Sequence, residues 1–231
     1  MTGLKLFASL VCVIGSITAA LPQPSAAGKP LPATACLMAA RQAAAAEGIP
    51  PDLLVSIALA ESGRTQKGAT VPWPWTVNSE GRGWWFETKQ AAIAQVRRLQ
   101  GQGHRSIDVG CFQVNLRWHQ DAFASLDQAF DPPANAAYAA QFLAELRRAF
   151  GLESATGRYP SATPALSARY RARVVSRRDR AEALLAALPA DGLRQASSVT
   201  AFLFAPTGRM ASFRSLFAEG EPQRLPGAGE Q

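Results

Sequence analysis

The sequence predicts an α+β fold, mainly helical, with a small antiparallel sheet inserted between the helices. Ala- and Leu-rich segments that begin at Thr or Pro and end near Gly are typical of helices, and they recur over 34–188. The stretch 72–87 differs, because its Trp, Val and Phe residues flank a turn-like Ser-Glu-Gly-Arg and so predict a hairpin. The runs of helix before and after this hairpin indicate one domain rather than alternating strand and helix units.

Each predicted element has its own start signal. Thr34 and Thr88 are suited to cap helices, and the Pro50-Pro51 and Pro132-Pro133 steps fit the first turns of two others. The predicted elements, in chain order, are helices over 34–47 and 51–61, a hairpin of 72–78 with 83–87, a helix over 88–101, a strand or extended turn over 108–115, a helix over 132–150 and a basic helix over 164–188.

Both ends of the chain are predicted to lie outside this domain. Residues 1–27 are typical of a secretory signal peptide, since a basic start and an apolar run precede prolines and small residues that suit cleavage between Ala20 and Gly28. An uncleaved anchor is the alternative, but the run is shorter than the roughly 20 residues of a membrane span. Residues 189–231 are rich in Gly, Pro, Ser and charge, which predicts a mostly disordered tail. We therefore expect an exported protein with its folded domain over 28–188.

Charge and cysteine content limit the class of partner. The formal net charge of +7 favours attraction to a polyanion. The arginines after position 169 lack the interleaved aromatics of a base-stacking surface, so we expect an anionic cell wall or membrane surface and no nucleic acid. With Cys12 in the leader, Cys36 and Cys111 remain, and in an oxidising compartment they favour a disulfide. Neither they nor the histidines have metal-ligand spacing, so no metal is expected.

Glu61 is the candidate catalytic acid. It shares one face of the second predicted helix with Leu54 and Ile57, so its carboxyl points where the core should be. A desolvated carboxyl resists ionisation and stays protonated near neutral pH, as the general acid of glycosidic-bond cleavage must. The alternative is a surface Glu in the last helical turn beside Gly63.

Further motifs accompany Glu61 over about 30–175. In order they are Ala60-Glu61-Ser62-Gly63, Asp108-Val109-Gly110-Cys111-Phe112-Gln113-Val114-Asn115, Asp131-Pro132-Pro133-Ala134-Asn135 with Phe142-Leu143, and Gly157-Arg158-Tyr159. With these motifs the chain resembles the soluble, lysozyme-like lytic transglycosylases. The Gly-Arg-Tyr form and the Val-Asn-Leu-Arg-Trp-His stretch are most similar to the branch that accompanies secretion, conjugation or flagellar assembly machines.

The resemblance implies a lysozyme-like domain that cleaves the MurNAc–GlcNAc β-1,4 bond of peptidoglycan for local wall remodelling. Glu61 would be the sole acid/base, with no cofactor, and the product would carry a 1,6-anhydromuramyl end. It also implies a periplasmic location and a secretion, conjugation or flagellar complex as a candidate partner; we expect a monomer. For a hydrolytic lysozyme, Asp108 is the nearest candidate for a second carboxylate, with Glu80 and Glu87 as lesser options. A non-catalytic wall-binding or assembly protein is the alternative outside enzymes.

The candidate substrate-binding residues are Ser62, Gln113, Asn115, Asn135, Tyr159, Trp75 and Trp85. Gln113 offers a donor and an acceptor for the N-acetyl group or the acid. Ser62 either orients Glu61 or ends its helix by a local hydrogen bond. Tyr159 resembles the family tyrosine whose hydroxyl contacts the acid, the alternative being a core Tyr. The tryptophans either stack on sugar faces or close a hairpin core. We also expect a disulfide between Cys36 and Cys111.

Overall fold

The structure, a computed structural model, describes residues 32–161 and 163–189. The predicted signal peptide, and all of the predicted tail except residue 189, lie outside the described residues. In the described ranges, no helix combines the length and the apolar character that crossing a membrane requires.

The fold is α+β and mainly helical with a small antiparallel sheet, which confirms the predicted class. The helices are α1 (Pro32–Glu47), α2 (Pro51–Ser62), α3 (Lys89–Gly101), α4 (Leu126–Ala129), α5 (Pro132–Phe150), α6 (Leu152–Arg158), α7 (Pro164–Val175) and α8 (Arg178–Ala186). The strands are β1 (Gly63–Gln66), β2 (Ala69–Pro72), β3 (Thr76–Ser79), β4 (Arg82–Trp85), β5 (Ile107–Val109) and β6 (Val114–Asn115).

All strand pairs are antiparallel. β1 and β2 form a separate two-stranded ribbon, and the larger sheet has the order β4-β3-β5-β6. The predicted hairpin is present as β3 and β4, whereas the β1–β2 ribbon was not predicted. The segment 108–115, predicted as a strand or extended turn, contains the end of β5, a turn and β6. A tight turn separates β5 from β6, because Gly110 and Gln113 adopt φ of 83° and 48°, in the left-handed region.

The helices depart from prediction mainly at their ends. α1 is already helical at Pro32, where the described residues begin, two residues before the predicted start at Thr34. Thr88 caps α3 as predicted, since its Oγ1 accepts a hydrogen bond from the amide of Ala91 at 3.2 Å. The single basic helix predicted over 164–188 is instead α7 and α8.

The break between α7 and α8 lets α8 turn back onto α2. Ala181 is buried in the core at this contact, and Arg178 donates from its Nε to Asp52 at 2.7 Å. Arg180 donates to the carbonyl of Thr70 on β2. A continuous helix would carry these groups away from α2.

The described residues form two apolar core clusters. The larger is built from α1, α2, α5 and the helices that follow, and includes Leu54, Ile57 and Leu143. The smaller lies between α3 and the sheet, around Val96 and Ile107. The chain crosses from the smaller cluster at Val109 to the larger at Cys111, so the β5–β6 turn lies on their boundary.

The predicted disulfide between Cys36 and Cys111 is present. Its Cα atoms are 5.8 Å apart and both cysteines are fully buried. The bridge fastens α1 to the β5–β6 turn and thereby to the boundary between the clusters.

Candidate active site

A cavity of about 500 Å³, including its open mouth, lies where α2 and α5 meet β5 and β6. It brings together four of the predicted site residues: Glu61, Gln113, Asn115 and Tyr159. It is also lined by residues that the motifs did not single out for binding, Asp108, Trp118, His119, Tyr138 and Phe142.

Glu61 lies in the last turn of α2 with its side chain partly buried at the cavity. Its Oε1 accepts a hydrogen bond from the hydroxyl of Tyr170 at 2.5 Å. Burial raises the pKa of Glu61 to about 7, although this hydrogen bond and the charges of Arg173 and Arg177 act in the opposite direction. Near neutral pH the carboxyl is therefore divided between its protonated and ionised forms, as a group that both donates and accepts a proton requires.

The tyrosine that contacts the acid is Tyr170, and the prediction that Tyr159 does so is wrong. The Tyr159 hydroxyl donates instead to the carbonyl of Phe112 at 3.2 Å, and its ring lines the cavity. Tyr170 lies behind it, with its ring stacked on that of Tyr159 at 6.5 Å between centroids. The available signal was the apolar i, i+4 pair of Tyr170 and Val174 in the basic segment, both of which are buried.

Asp108 places a second carboxyl in the cavity. It is 7% exposed, and burial raises its pKa to about 7, with the negative charge of Glu61 adding to the rise and a hydrogen bond from Asn115 opposing it. The Asn115 Nδ2 donates to Oδ1 of Asp108 at 2.7 Å, while the Asn115 Oδ1 accepts from the amide of Arg117 at 2.9 Å. Asn115 thus orients Asp108 from its cross-strand partner position.

The lesser acidic options lie away from the cavity. Glu80 pairs with His104 and Glu87 with Arg64, and both carboxylates are largely exposed.

Gln113 presents an acceptor oxygen to the cavity. Its Nε2 donates to the carbonyls of Thr76 at 3.1 Å and Gly110 at 3.0 Å, which fixes the orientation of the amide. No hydrogen bond from the described residues reaches its Oε1. The side chain is therefore held by the turn and by β3, with its carbonyl left to bind a donor.

Ser62 does not line the cavity, and its hydrogen bonds follow the helix-ending alternative. Its side chain is fully buried. The Oγ lies 2.8 Å from the carbonyl of Cys111 and 3.1 Å from that of Ala58, and it accepts from the amide of Trp73 at 3.2 Å. Ser62 thus ends α2 and ties it to the β5–β6 turn, without contacting Glu61.

Asn135 does not line the cavity either. It is fully buried, its Oδ1 accepts from the amide of Phe112 at 2.9 Å, and its Nδ2 donates to the carbonyls of Val109 and Ala129 at 3.1 Å each. A Cβ at Gly110 would lie 2.4 Å from this Nδ2. Asn135 therefore fixes the β5–β6 turn. Position 110 must be Gly, because any side chain there would clash with Asn135.

The predicted tryptophans do not line the cavity. Trp75 is half-buried against the smaller cluster, with its ring edge-on to Trp73 at 5.9 Å. Trp85 is 46% exposed on the edge strand β4. Trp75 follows the hairpin-core alternative, whereas Trp85 faces solvent. Among the described tryptophans, Trp118 lines the cavity instead.

Comparison with protein-family models, with curated proteins and with solved structures finds no match to this chain. Among the described residues, no group of three or more His, Cys, Asp or Glu side chains is placed to hold a metal ion. The cavity offers two carboxyls with raised pKa values, an oriented amide oxygen and aromatic walls, a combination suited to acid–base chemistry.

Proposed function

We propose that this chain is a peptidoglycan lytic transglycosylase that cleaves the β-1,4 bond between MurNAc and GlcNAc. The observation that carries the proposal is Glu61, a carboxyl at a cavity wall with a pKa near 7 and a tyrosine hydroxyl on one oxygen. A single group with this pKa serves as acid in one step and as base in the next. The motif resemblance supports the choice of glycan and of reaction.

In the first step, protonated Glu61 donates its proton to the bridging oxygen as the bond from that oxygen to C1 of MurNAc breaks. The acetamido oxygen of the same sugar bonds to C1 and carries the developing positive charge. In the second step, ionised Glu61 accepts the proton of the 6-hydroxyl as O6 bonds to C1 and the acetamido oxygen leaves. The product is a 1,6-anhydro ring, and no water is consumed.

Neighbouring residues have defined roles in this scheme. The Tyr170 hydroxyl stabilises the carboxylate that Glu61 becomes after the first proton transfer, because a hydrogen bond to the charged form favours it. The free Oε1 of Gln113 is suited to accept the acetamido N–H, which would aim the acetamido oxygen at C1.

The test is mass analysis of soluble fragments released from purified peptidoglycan, with Glu61→Gln in parallel. Gln matches the size of Glu and retains an acceptor for Tyr170, so the fold is expected to persist, which a urea midpoint checks. Fragments one water lighter than hydrolysis products, released by the parent chain and absent with the variant, are the expected result. Equal release of fragments by both proteins would show that Glu61 is not the catalytic acid.

Hydrolysis is the second candidate, because Asp108 places a second carboxyl in the same cavity within electrostatic range of Glu61. Most glycoside hydrolases use two catalytic carboxyl groups. Asp108→Asn separates the two reactions. A transglycosylase needs only the shape and hydrogen bond of this residue, so the variant should still release anhydro fragments. In a hydrolase, the variant should lose the release of full-mass reducing ends by about a hundredfold or more.

Location and partners form part of the same proposal. The leader-like start and the net charge of +7 support an exported, periplasmic enzyme held on an anionic wall. A secretion, conjugation or flagellar complex is proposed on motif resemblance alone. A protein that binds sacculi but releases nothing, with or without Glu61, would instead be a non-catalytic wall-binding or assembly protein.

A further inference from the structure

His119 and Tyr138 form a buried polar pair inside the cavity, beyond the acid. His119 is 7% exposed, and its Nδ1 lies 2.6 Å from the hydroxyl oxygen of Tyr138. The imidazole packs edge-on against Phe142 at 5.1 Å and Tyr138 at 5.3 Å between ring centroids. Its backbone amide donates to the carbonyl of Asn115 at 3.0 Å. The ring is therefore held by packing and by the Tyr138 hydrogen bond, while the backbone of the residue is held by Asn115.

The hydrogen bond sets which nitrogen of His119 carries the proton. Among the described residues, the Tyr138 hydroxyl has no acceptor other than this Nδ1. A phenol is a stronger acid than a neutral imidazole, so the bond runs from the hydroxyl to Nδ1. Burial lowers the pKa of His119 to about 4, so the ring is neutral at pH 7. The remaining proton then lies on Nε2.

The Nε2 proton has no acceptor of its own within the described part of the chain. His119 lines the cavity, and Nε2 is not among the buried side-chain atoms without a partner, so it has access to the cavity. A fixed N–H donor on the wall of a cavity selects a ligand atom that accepts.

The two carboxyls in the cavity favour a neutral acceptor over an anionic one. Glu61 and Asp108 share the cavity and disfavour a carboxylate or phosphate. Phe142 and Tyr159 form an apolar wall beside His119, suited to a methyl group. An acetamido group combines a neutral carbonyl oxygen with a methyl.

We propose that His119 is a specificity-determining residue whose Nε2–H donates to the carbonyl oxygen of an acetamido group on the glycan, with Tyr138 as the positioning residue that fixes its tautomer. The inference rests on the proposed function, since it takes an N-acetylated glycan as the substrate. On this proposal, the His119 wall of the cavity distinguishes a sugar with an acetamido group at C2 from a sugar with a hydroxyl group at C2.

Binding is measured in the full chain carrying Glu61→Gln, which prevents turnover. The probes are chitohexaose and cellohexaose, which share the β-1,4 linkage but carry an acetamido and a hydroxyl group, respectively, at C2. We expect the Glu61→Gln protein to bind chitohexaose more tightly than cellohexaose. Adding His119→Phe, which keeps an aromatic ring on Phe142, should weaken chitohexaose binding about fivefold and leave cellohexaose unchanged, as loss of one neutral hydrogen bond predicts.

Equal weakening for both oligosaccharides would mean that His119 only supports the fold, and would overturn the inference. Chitohexaose binding that His119→Phe does not change would also overturn it. Failure of the Glu61→Gln parent to bind either oligosaccharide, or peptidoglycan, would instead defeat the proposed function itself.

A second measurement does not depend on the stability of His119→Phe. The chain has 2 histidines, so ¹⁵N-histidine spectra are simple to assign. We expect His119 as the Nε2–H tautomer at pH 7, and a mixture of tautomers in Tyr138→Phe, together with about twofold to threefold weaker chitohexaose binding. The Nδ1–H tautomer in the parent, or an unchanged spectrum in the variant, would refute the positioning role.

Discussion

Glu61→Gln should stabilise the protein against unfolding at high pH but not at low pH. The pKa of Glu61 rises from an ordinary 4.5 to about 7 on folding, because burial disfavours the ionised form. A group whose folded pKa is raised stabilises the fold fully below pH 4.5, and that contribution is lost as pH rises through 7. Gln has the shape and neutrality of the protonated acid, so the variant escapes the loss.

The magnitude follows from the pKa values. At about 1.4 kcal/mol per pH unit, the rise from 4.5 to about 7 corresponds to about 3 kcal/mol. Glu61 is partly exposed, and solvent screening reduces this to about 2 kcal/mol. We therefore expect equal unfolding free energies at pH 4, within about 0.5 kcal/mol, and an advantage of about 2 kcal/mol for the variant at pH 8.

The assay is urea unfolding of both proteins at each pH, followed by circular dichroism. Glu182→Gln is the control, since Glu182 is exposed on α8 and its substitution should change stability by less than about 0.5 kcal/mol at either pH. A Glu61→Gln variant that is less stable than the parent at pH 8, or a difference independent of pH, would refute a desolvated acid at this position.

Further predictions concern the groups around the acid. Tyr170→Phe removes the hydrogen bond that lowers the pKa of Glu61, so the alkaline limb of kcat/KM for fragment release should move up by about one pH unit, while Tyr159→Phe leaves it in place. Gly110→Ala should lower the unfolding free energy, measured with urea, by about 3 kcal/mol, because its φ is 83° and the new Cβ clashes with the buried Asn135 amide. Gly81→Ala, with a φ of 85° but nothing within 4 Å of the new Cβ, should lower it by about 1 kcal/mol. Equal costs for the two glycine variants would contradict the clash. Reducing the disulfide, which joins residues 75 apart, should lower the unfolding free energy by about 4 kcal/mol, seen as a fall in urea midpoint on adding dithiothreitol.

The sequence predicted most of the helices and the position of the acid because those signals are local. The spacing of Leu54, Ile57 and Glu61 on one helical face is visible within a dozen residues. Proline and threonine start signals likewise act on the next turn of chain, and Thr88 does cap α3.

The parts that were missed depend on distant contacts. Tyr170 meets Glu61 across 109 residues of sequence, and the basic segment around it is equally typical of a solvated face. The Asn135 side chain accepts a hydrogen bond from the backbone amide of Phe112 because a left-handed turn directs that amide towards α5. The sequence motif does not reveal this turn geometry. Trp85 follows the strand pattern but lies on the edge strand β4, where it is 46% exposed in the described part of the chain.

The boundary between the two apolar clusters gives the cavity separable halves. Glu61 and Tyr170 belong to the helical half, whereas Asp108 and its support from Asn115 belong to the sheet. Exchanges in the β3–β4 hairpin would therefore reshape the outer surface of the sheet half without moving the proton donor. Related proteins would then differ around Asp108 while Glu61 and Tyr170 keep their arrangement.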